Sequence, residues 1–406
     1  MIQGRNWLWL VWLACCPSAM TADELHLQRF GSSPERGSSD AVFVEDAALL
    51  HTSQLFPVNS GGETLGKSTK SQFEVLFDTL QRILASQRAA RTQIVKLNVY
   101  LSDESEHTLV SQLIQELFDG AKLPAVSYVQ TKLIRDDVKI ALDAVVAVNG
   151  ETGSDLAQHH HLAKLGGNPK QSHVSLLPRG DVVYVSGQAE AGELKVATQA
   201  TLESLLKTLE HLQLNRRHVV GLKCFLTPME RVGEVEQVIA EFFKEGQIPV
   251  VSYVEWIAGE TRPIEIELIA AAPHTISKES VTYFTPPELK ASPVFSRTAR
   301  IHGDRRIYVS GLYSAEPGDG ARQTRMIFEQ LEQVLSASGS DMKHLAKATY
   351  YVSSSDASDQ LNQIRPSIYD PARPPAASKA VVTGVGMNGR QLSIDMIAAP
   401  AIHEEE

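Results

Sequence analysis

Three strand-like segments of nearly the same character recur along this chain: "KIALDAVVAV", "PIEIELIAAAP" and "QLSIDMIAAP". Each follows a junction made of a proline, two small apolar residues and a serine: "LPAVS" from Leu123, "IPVVS" from Ile248 and "PPAAS" from Pro374. Pro124, Pro249 and Pro375 therefore recur at about 125 residues, the size of one small domain. The chain is constrained to fold as three copies of one unit.

Earlier parts of each copy match as well. "ALLHTSQ", "VVYVSGQ" and "RIYVSGL" are short β-rich runs that reach Thr52, Ser186 and Ser310 and the residue after each. Each leads into a segment with apolar residues at i, i+3, i+4 and i+7, the spacing of one helix face. These residues are Phe73, Leu76, Phe77, Leu80 and Leu84 in the first copy, Leu202, Leu205, Leu206 and Leu209 in the second, and Phe328, Leu331 and Leu335 in the third. A strand follows ("IVKLNVYL", "VVGLKCFL", "LAKATYYV"), then a second helix ending near "ELF", "EFF" or "SIY". The order strand, helix, strand, helix, strand, strand predicts an α+β unit with both helices on one face of a mixed sheet.

This pattern places repeats at residues 40–149, 173–273 and 291–401, with a mobile lead-in at 23–39 and polar linkers at 150–172 and 274–290. The first linker holds His159 to His161, read as solvated because no Cys or carboxylate partner stands at ligand spacing. Arg5 and the apolar run "WLWLVWLACC", followed by small residues from Ala19 to Ala22, read as a signal peptide over residues 1–22. The run is too short to span a bilayer, so the expectation is export, periplasmic or extracellular, with no stable membrane insertion after cleavage. Cys224 would then be the sole cysteine, a small buried core residue. A net charge of -10 without a basic block excludes the electrostatic footprint of a nucleic-acid binder and favours a small molecule or a protein as partner.

At "VYVSGQ" (Val183 to Gln188), the Pro-x-x-Ser junctions and the final "IEIELIA" (Ile264 to Ala270), the chain resembles the RidA family, also called YjgF-like. The resemblance covers all three copies. It implies three RidA-like (chorismate mutase-like) domains in one chain, arranged as an intramolecular pseudo-trimer with clefts between neighbouring repeats. Fusion would make association independent of concentration and leave the three clefts free to diverge. No P-loop, zinc-protease or Cys-x-x-Cys spacing is present, so the expectation is no metal or nucleotide cofactor.

Enamine/imine deaminases of that family hold a substrate carboxylate with an arginine in Pro-x-Arg-Ser, a planar fork suited to bidentate pairing. This chain has Val126, Val251 and Ala377 at that position. The family's final-strand glutamate survives as Glu265, with Ala141 and Ser393 in the other copies, while an acid two places on is kept as Asp143, Glu267 and Asp395. The Ser-Gly turn survives as Ser186-Gly187 and Ser310-Gly311 and becomes Thr52-Ser53 in the first copy. A second-helix asparagine matches Asn362, with Ser111 and Glu236 elsewhere, and the residue after the junction serine is Tyr128, Tyr253 or Lys379. The resemblance makes Glu265 the candidate catalytic group and Ser186, Gly187, Tyr253, Val251, Ser310, Gly311, Asn362, Tyr128, Val126 and Ala377 the candidate cleft lining. Without it, alternating acids on a last strand read as its solvent face and a serine before a strand as a turn residue.

Two motifs are set aside. "GVGMNG" (Gly384 to Gly389) has dinucleotide-fingerprint spacing, but a strand follows it and Asn-Gly favours a type I′ hairpin. Arg373, four residues before the aligned position, is a cation able to swing toward a cleft. The expectation is a protein that binds a small ligand or partner without standard deaminase chemistry. The alternatives are a divergent imine or enamine hydrolase and, further off, an endoribonuclease.

Overall fold

A computed structural model describes residues 25–118, 122–150, 155–259 and 261–401. The signal peptide expected at 1–22 lies outside them. The first copy contributes β1 (His26–Phe30), β2 (Ala41–Glu45), β3 (Ala48–Thr52), α1 (Thr69–Ser86), β4 (Ile94–Leu101), α2 (His107–Leu117), β5 (Ala125–Gln130) and β6 (Ile140–Val148). The second contributes β7 (Gln158–His160), β8 (Val174–Leu177), β9 (Asp181–Gln188), α3 (Leu194–Glu210), β10 (Val219–Leu226), α4 (Val232–Phe242), β11 (Val250–Glu255) and β12 (Ile264–Ala272). The third repeats the series as β13 (Val281–Phe284), β14 (Thr298–Ile301), β15 (Arg306–Val309), α5 (Gly320–Ala337), β16 (Leu345–Val352), α6 (Ser355–Ile368), β17 (Ala376–Val381) and β18 (Leu392–Ala398).

The long helices form where the apolar spacing placed them. Ser68 and Asp319 cap α1 and α5 by accepting from the Ser71 and Arg322 amides at 3.2 and 2.7 Å, contacts of about 1 kcal/mol each. Phe73, Leu76, Phe77 and Leu80 of α1 bury against their own sheet, as do Leu202 and Leu205 of α3 and Phe328 and Leu331 of α5. Cys224 is buried in the core of the second copy, as its composition implied.

Each six-stranded sheet is completed by the next copy. The orders are β5-β4-β6-β3-β8-β7, β11-β10-β12-β9-β14-β13 and β1-β2-β15-β18-β16-β17. Thus β7 and β8 of the second copy extend the first sheet, β13 and β14 of the third extend the second, and β1 and β2 of the first extend the third. The connection from β8 to β9 is short enough for a hairpin, yet β8 pairs with β3 and β9 with β14. Residues 23–39, 150–172 and 274–290, expected as a lead-in and linkers, therefore carry β1, β7 and β13. These strands sit at sheet edges with largely exposed side chains, so a polar sequence can still pair its backbone. The histidines expected to be solvated are partly engaged: His159 Nδ1 lies 2.8 Å from Ser175 Oγ, and the His161 ring lies 4.8 Å from that of His173.

The sheet faces opposite the helices turn toward one another. Bulges at Ile94/Lys96, Val219/Gly221 and Leu345/Lys347 interrupt the alternation of the strands paired with β6, β12 and β18. On this inner side Val95, Val220 and Ala346 join one apolar cluster, and Tyr100, Phe225 and Tyr351 join another. Between those positions along the strands stand Lys96, Lys223 and Lys347, opposed by Asp143, Glu267 and Asp395. The acids expected at a solvent face are thus interior, because the face that looks free in one sheet is covered by the other two. The segment read as an Asn-Gly hairpin is a crossing instead: β17 and β18 lie on opposite sides of β16. Gly386, with φ 83°, packs where an added Cβ would lie 2.6 Å from Tyr128 Cβ.

Candidate functional site

The junction strands β5, β11 and β17 are sheet edges, each meeting the end of β15, β3 or β9 from another copy. Three clefts result, and they are unequal.

Between the second and third copies, Ser186 Oγ accepts the Ala377 amide at 2.7 Å and donates to the Ser296 carbonyl. The Gly187 amide donates to Ser378 Oγ at 3.1 Å. Glu265, partly buried on β12, reaches the same hydroxyl; a Cβ on Gly187 would lie 1.9 Å from Glu265 Oε1. Burial, with Glu267 nearby, pushes the Glu265 carboxyl up to about 8, against the opposing pull of Ser378, Arg297 and Lys379. Lys379 Nζ donates to Ser358 Oγ at 2.9 Å and Asn362 Oδ1 at 3.2 Å, and Arg365 Nη2 donates to Asn362 Oδ1 at 2.8 Å. Burial and the Arg365 charge lower the Lys379 pKa. Arg297 has a buried Nε with no partner among the described residues.

Ser186, Gly187, Glu265, Asn362 and Ala377 therefore lie around one cleft. Sequence reasoning undervalued Lys379. Two residues beyond Ala377 on one strand, it shares that residue's face, so a cation stands beside Ala377. The i, i+2 spacing was the available signal. Arg297 carried no comparable signal, because it arrives on the exchanged segment before β14. Arg373, which was expected to be able to swing toward a cleft, instead pairs with Glu279 at 2.8 Å and lies over the Tyr283 ring. That pairing holds it on the exchanged β13.

Between the first and second copies, Ser53 and Gln54, not Thr52 and Ser53, stand where Ser186-Gly187 and Ser310-Gly311 stand: the Ser53 amide donates to the His173 carbonyl as those of Ser186 and Ser310 do to Arg297 and Asp40, and the Gln54 side chain bridges the edge strand. Its amide donates to the Tyr253 carbonyl at 3.1 Å and accepts the Tyr253 amide at 3.0 Å, while its backbone amide donates to the Val251 carbonyl at 3.1 Å. A cavity of about 960 Å³ adjoins, reached by Gln54, His173, Glu236, Val251 and Tyr253. Burial raises the Glu236 pKa, and a hydrogen bond with Tyr253 opposes the rise.

Between the third and first copies, Ser310 Oγ accepts the Val126 amide at 2.8 Å, and the Gly311 amide donates to the Val126 carbonyl at 2.9 Å. Tyr128 is buried; Tyr313 Oη donates to its carbonyl at 3.1 Å, and the His107 ring packs at 4.3 Å. The crossing before β18 closes over it, with the Gly384 carbonyl accepting the Gln130 amide at 3.0 Å. Aromatic packing fills this cleft. With Ala141 and Ser393 at the positions of Glu265, the carboxylate, the Ser-Gly turn and a cleft lysine meet between the second and third copies.

Comparison with known proteins agrees with this architecture. A sequence model of the family described as endoribonuclease L-PSP matches residues 37–148, 168–272 and 287–400. Protein DfrA of Myxococcus xanthus is 26% identical over 116 residues, covering 27% of this chain and 87% of that protein. Among solved structures, a YjgF-family protein of Neisseria meningitidis is 21% identical, with TM-score 0.24, covering 30% of this chain and 97% of its own. The Rid-family protein YyfB of Yersinia pestis is 21% identical, with TM-score 0.27, covering 32% and 95%. The three matches span most of the chain, one to each structural copy: the protein belongs to the endoribonuclease L-PSP family, also known as YjgF or Rid, as three tandem copies in one chain.

Proposed function

We propose that this protein is an exported pseudo-trimer with one working cleft, between the second and third copies, which hydrolyses a small anionic imine or enamine. Lys379 anchors the substrate in place of the usual arginine. The observation that carries the reading is the meeting of Glu265, Gly187, Ser378 and Lys379 in a single cleft. Water adds to the imine carbon as the nitrogen takes a proton, and the resulting carbinolamine releases ammonia and leaves a carbonyl. With a pKa near 8, the Glu265 carboxyl holds a proton at neutral pH that it can give to the imine nitrogen. Its carboxylate then takes a proton from the added water. A single ammonium pairs with a carboxylate less specifically than a guanidinium fork, so the reading favours weaker and broader substrate selection than an arginine site gives.

RNA cleavage, which the family description names, finds little support in a chain of net charge -10. The test is turnover of 2-aminoacrylate-type imines by the purified protein. Glu265→Gln is expected to lower kcat at least a hundredfold, and Lys379→Met to raise KM about tenfold or more. Unchanged turnover in both variants would refute the reading. Binding of the anion through Lys379 without turnover would establish a ligand-binding role instead. Export is checked by N-terminal sequencing of the protein from fractionated cells.

A further inference from the structure

Independently of the cleft chemistry, the interior where the three sheets meet holds a cavity of about 100 Å³. Its wall includes Lys96, Lys223, Lys347, Asp143, Glu267 and Asp395, one lysine and one acid from each copy's sheet, together with His51 and Tyr308. Two of the lysines are matched across copies: Lys96 Nζ lies 2.8 Å from Asp395 and Lys347 Nζ 2.7 Å from Glu267. The third acid, Asp143, is held within its own copy, accepting from Tyr100 Oη at 2.5 Å and Asn98 Nδ2 at 2.7 Å. That leaves Lys223 with Tyr351 Oη at 3.4 Å and the Tyr100 ring at 5.8 Å, and with no carboxylate in direct contact among the described residues.

Behind this wall lies a second cation with no carboxylate in direct contact among the described residues. Arg306 is fully buried; its Nη2 donates to the Gly180 and Gly303 carbonyls, while its Nε and Nη1 have no partner among the described residues. Its field reaches both His51 and Tyr308. Those two side chains are themselves more than nine-tenths buried; His51 Nε2 has no partner among the described residues, and Tyr308 Oη has only the neighbouring Tyr184 hydroxyl. Three lysines of the wall (Lys96 buried, Lys223 and Lys347 partly buried) and the buried Arg306 behind it thus outnumber three carboxylates (Asp143, Glu267 and Asp395), with His51 kept neutral by burial and by Arg306. Burying one unmatched charge costs several kcal/mol, and unpaired buried donors add to it. The cavity, although several times the roughly 10–15 Å³ that one water needs, is small for an organic ligand.

We propose that this cavity is a structural site for one small monovalent inorganic anion of the chloride class, held by Lys223 Nζ, Tyr308 Oη and the Nε2–H tautomer of His51. One negative charge brings this cluster to neutrality and gives the His51 Nε2–H and the Tyr308 hydroxyl an acceptor. A water cluster satisfies the hydrogen bonds but leaves the charge unmatched. In a homotrimer any such feature would recur by symmetry, whereas here His51 and Arg306 each occur once: the strand pairings put Tyr184 and Tyr308 at the place of His51, and Leu49 and Val182 at that of Arg306.

The test uses the whole protein, produced and crystallised with bromide as the sole halide. An anomalous bromide peak inside the cavity is expected; a cavity without one overturns the proposal. In solution, replacing chloride by gluconate at constant ionic strength is expected to lower Tm, and adding back bromide to restore it along a saturable curve. Tyr308→Phe removes only a hydroxyl and is expected to shift that curve about tenfold or more toward higher bromide. Lys223→Met is expected to abolish the saturable part. If Lys223→Met does not fold, the Tyr308→Phe shift decides. A halide response that does not saturate, or is the same in Tyr308→Phe, marks a general salt effect and overturns the proposal.

Discussion

Glu265 shows how one carboxyl links the cleft to stability. Its pKa in the folded protein, about 8, stands above the ordinary value of 4.5. Between those limits the folded state binds the extra proton, so folding stability falls as pH rises from about 5 to 8 and is unaffected below. Glu265→Gln removes the titration, so the variant should lose less stability than the parent between pH 5 and pH 9. The difference is on the order of 2 kcal/mol after allowance for partial exposure, and chemical denaturation at both pH values measures it. Turnover that depends on the protonated carboxyl should likewise fall above pH about 8. Gly187 is the second sensitive position, for space rather than charge. A Cβ there meets Glu265 Oε1 at 1.9 Å and Ser378 Oγ at 2.6 Å. Gly187→Ala should therefore displace the carboxyl, costing about 1–3 kcal/mol and most of the turnover. Wild-type activity in that variant would show that the carboxyl is not held where the chemistry needs it.

Among the elements, the junction strands carry the divergence between clefts. β11 pairs in parallel with β10 on one side, and on the other its Tyr253 backbone is satisfied by the Gln54 side chain. Gln54→Ala leaves a buried amide and carbonyl unpaired. It should cost about 1–3 kcal/mol in denaturant unfolding while leaving turnover unchanged, because Gln54 lies in a different cleft from Glu265. A loss of turnover equal to that of Glu265→Gln would mean that the first and second copies share the working site. The helices were legible beforehand: Phe73, Leu76, Phe77 and Leu80 read as one face, and that face is buried. The edge strands were not, since β1, β7 and β13 have few buried residues to mark them. Their pairing is made by backbone groups that every residue carries. For the same reason "GVGMNG" looked like a hairpin, since the turn chemistry was local while the pairing partner of both flanking strands was β16.

For the whole molecule, the exchange of β1–β2, β7–β8 and β13–β14 around the three sheets makes the copies interdependent. A single copy, residues 155–272, lacks the two strands that finish its sheet and exposes two that finish another. Expressed alone, it should self-associate, with three molecules trading strands as the copies do here; light scattering showing a stable folded monomer would contradict the exchange. The intact chain should unfold with a midpoint independent of protein concentration, because its copies are covalently joined.

The sequence by itself determined the number of copies and the helix faces, because periodicity and position are local properties that survive divergence. The resemblance also marked Ser186, Gly187, Glu265 and Asn362 as candidate cleft residues. Only the tertiary structure decided that Lys379 and Arg297 join that set, that Tyr128 and its neighbours fill another cleft, and that Asp143, Glu267 and Asp395 face inward among lysines. Those outcomes depend on what a neighbouring copy places opposite each side chain. Charge, burial and hydrogen bonding act through space between strands far apart in the chain, so no single segment carries their signature.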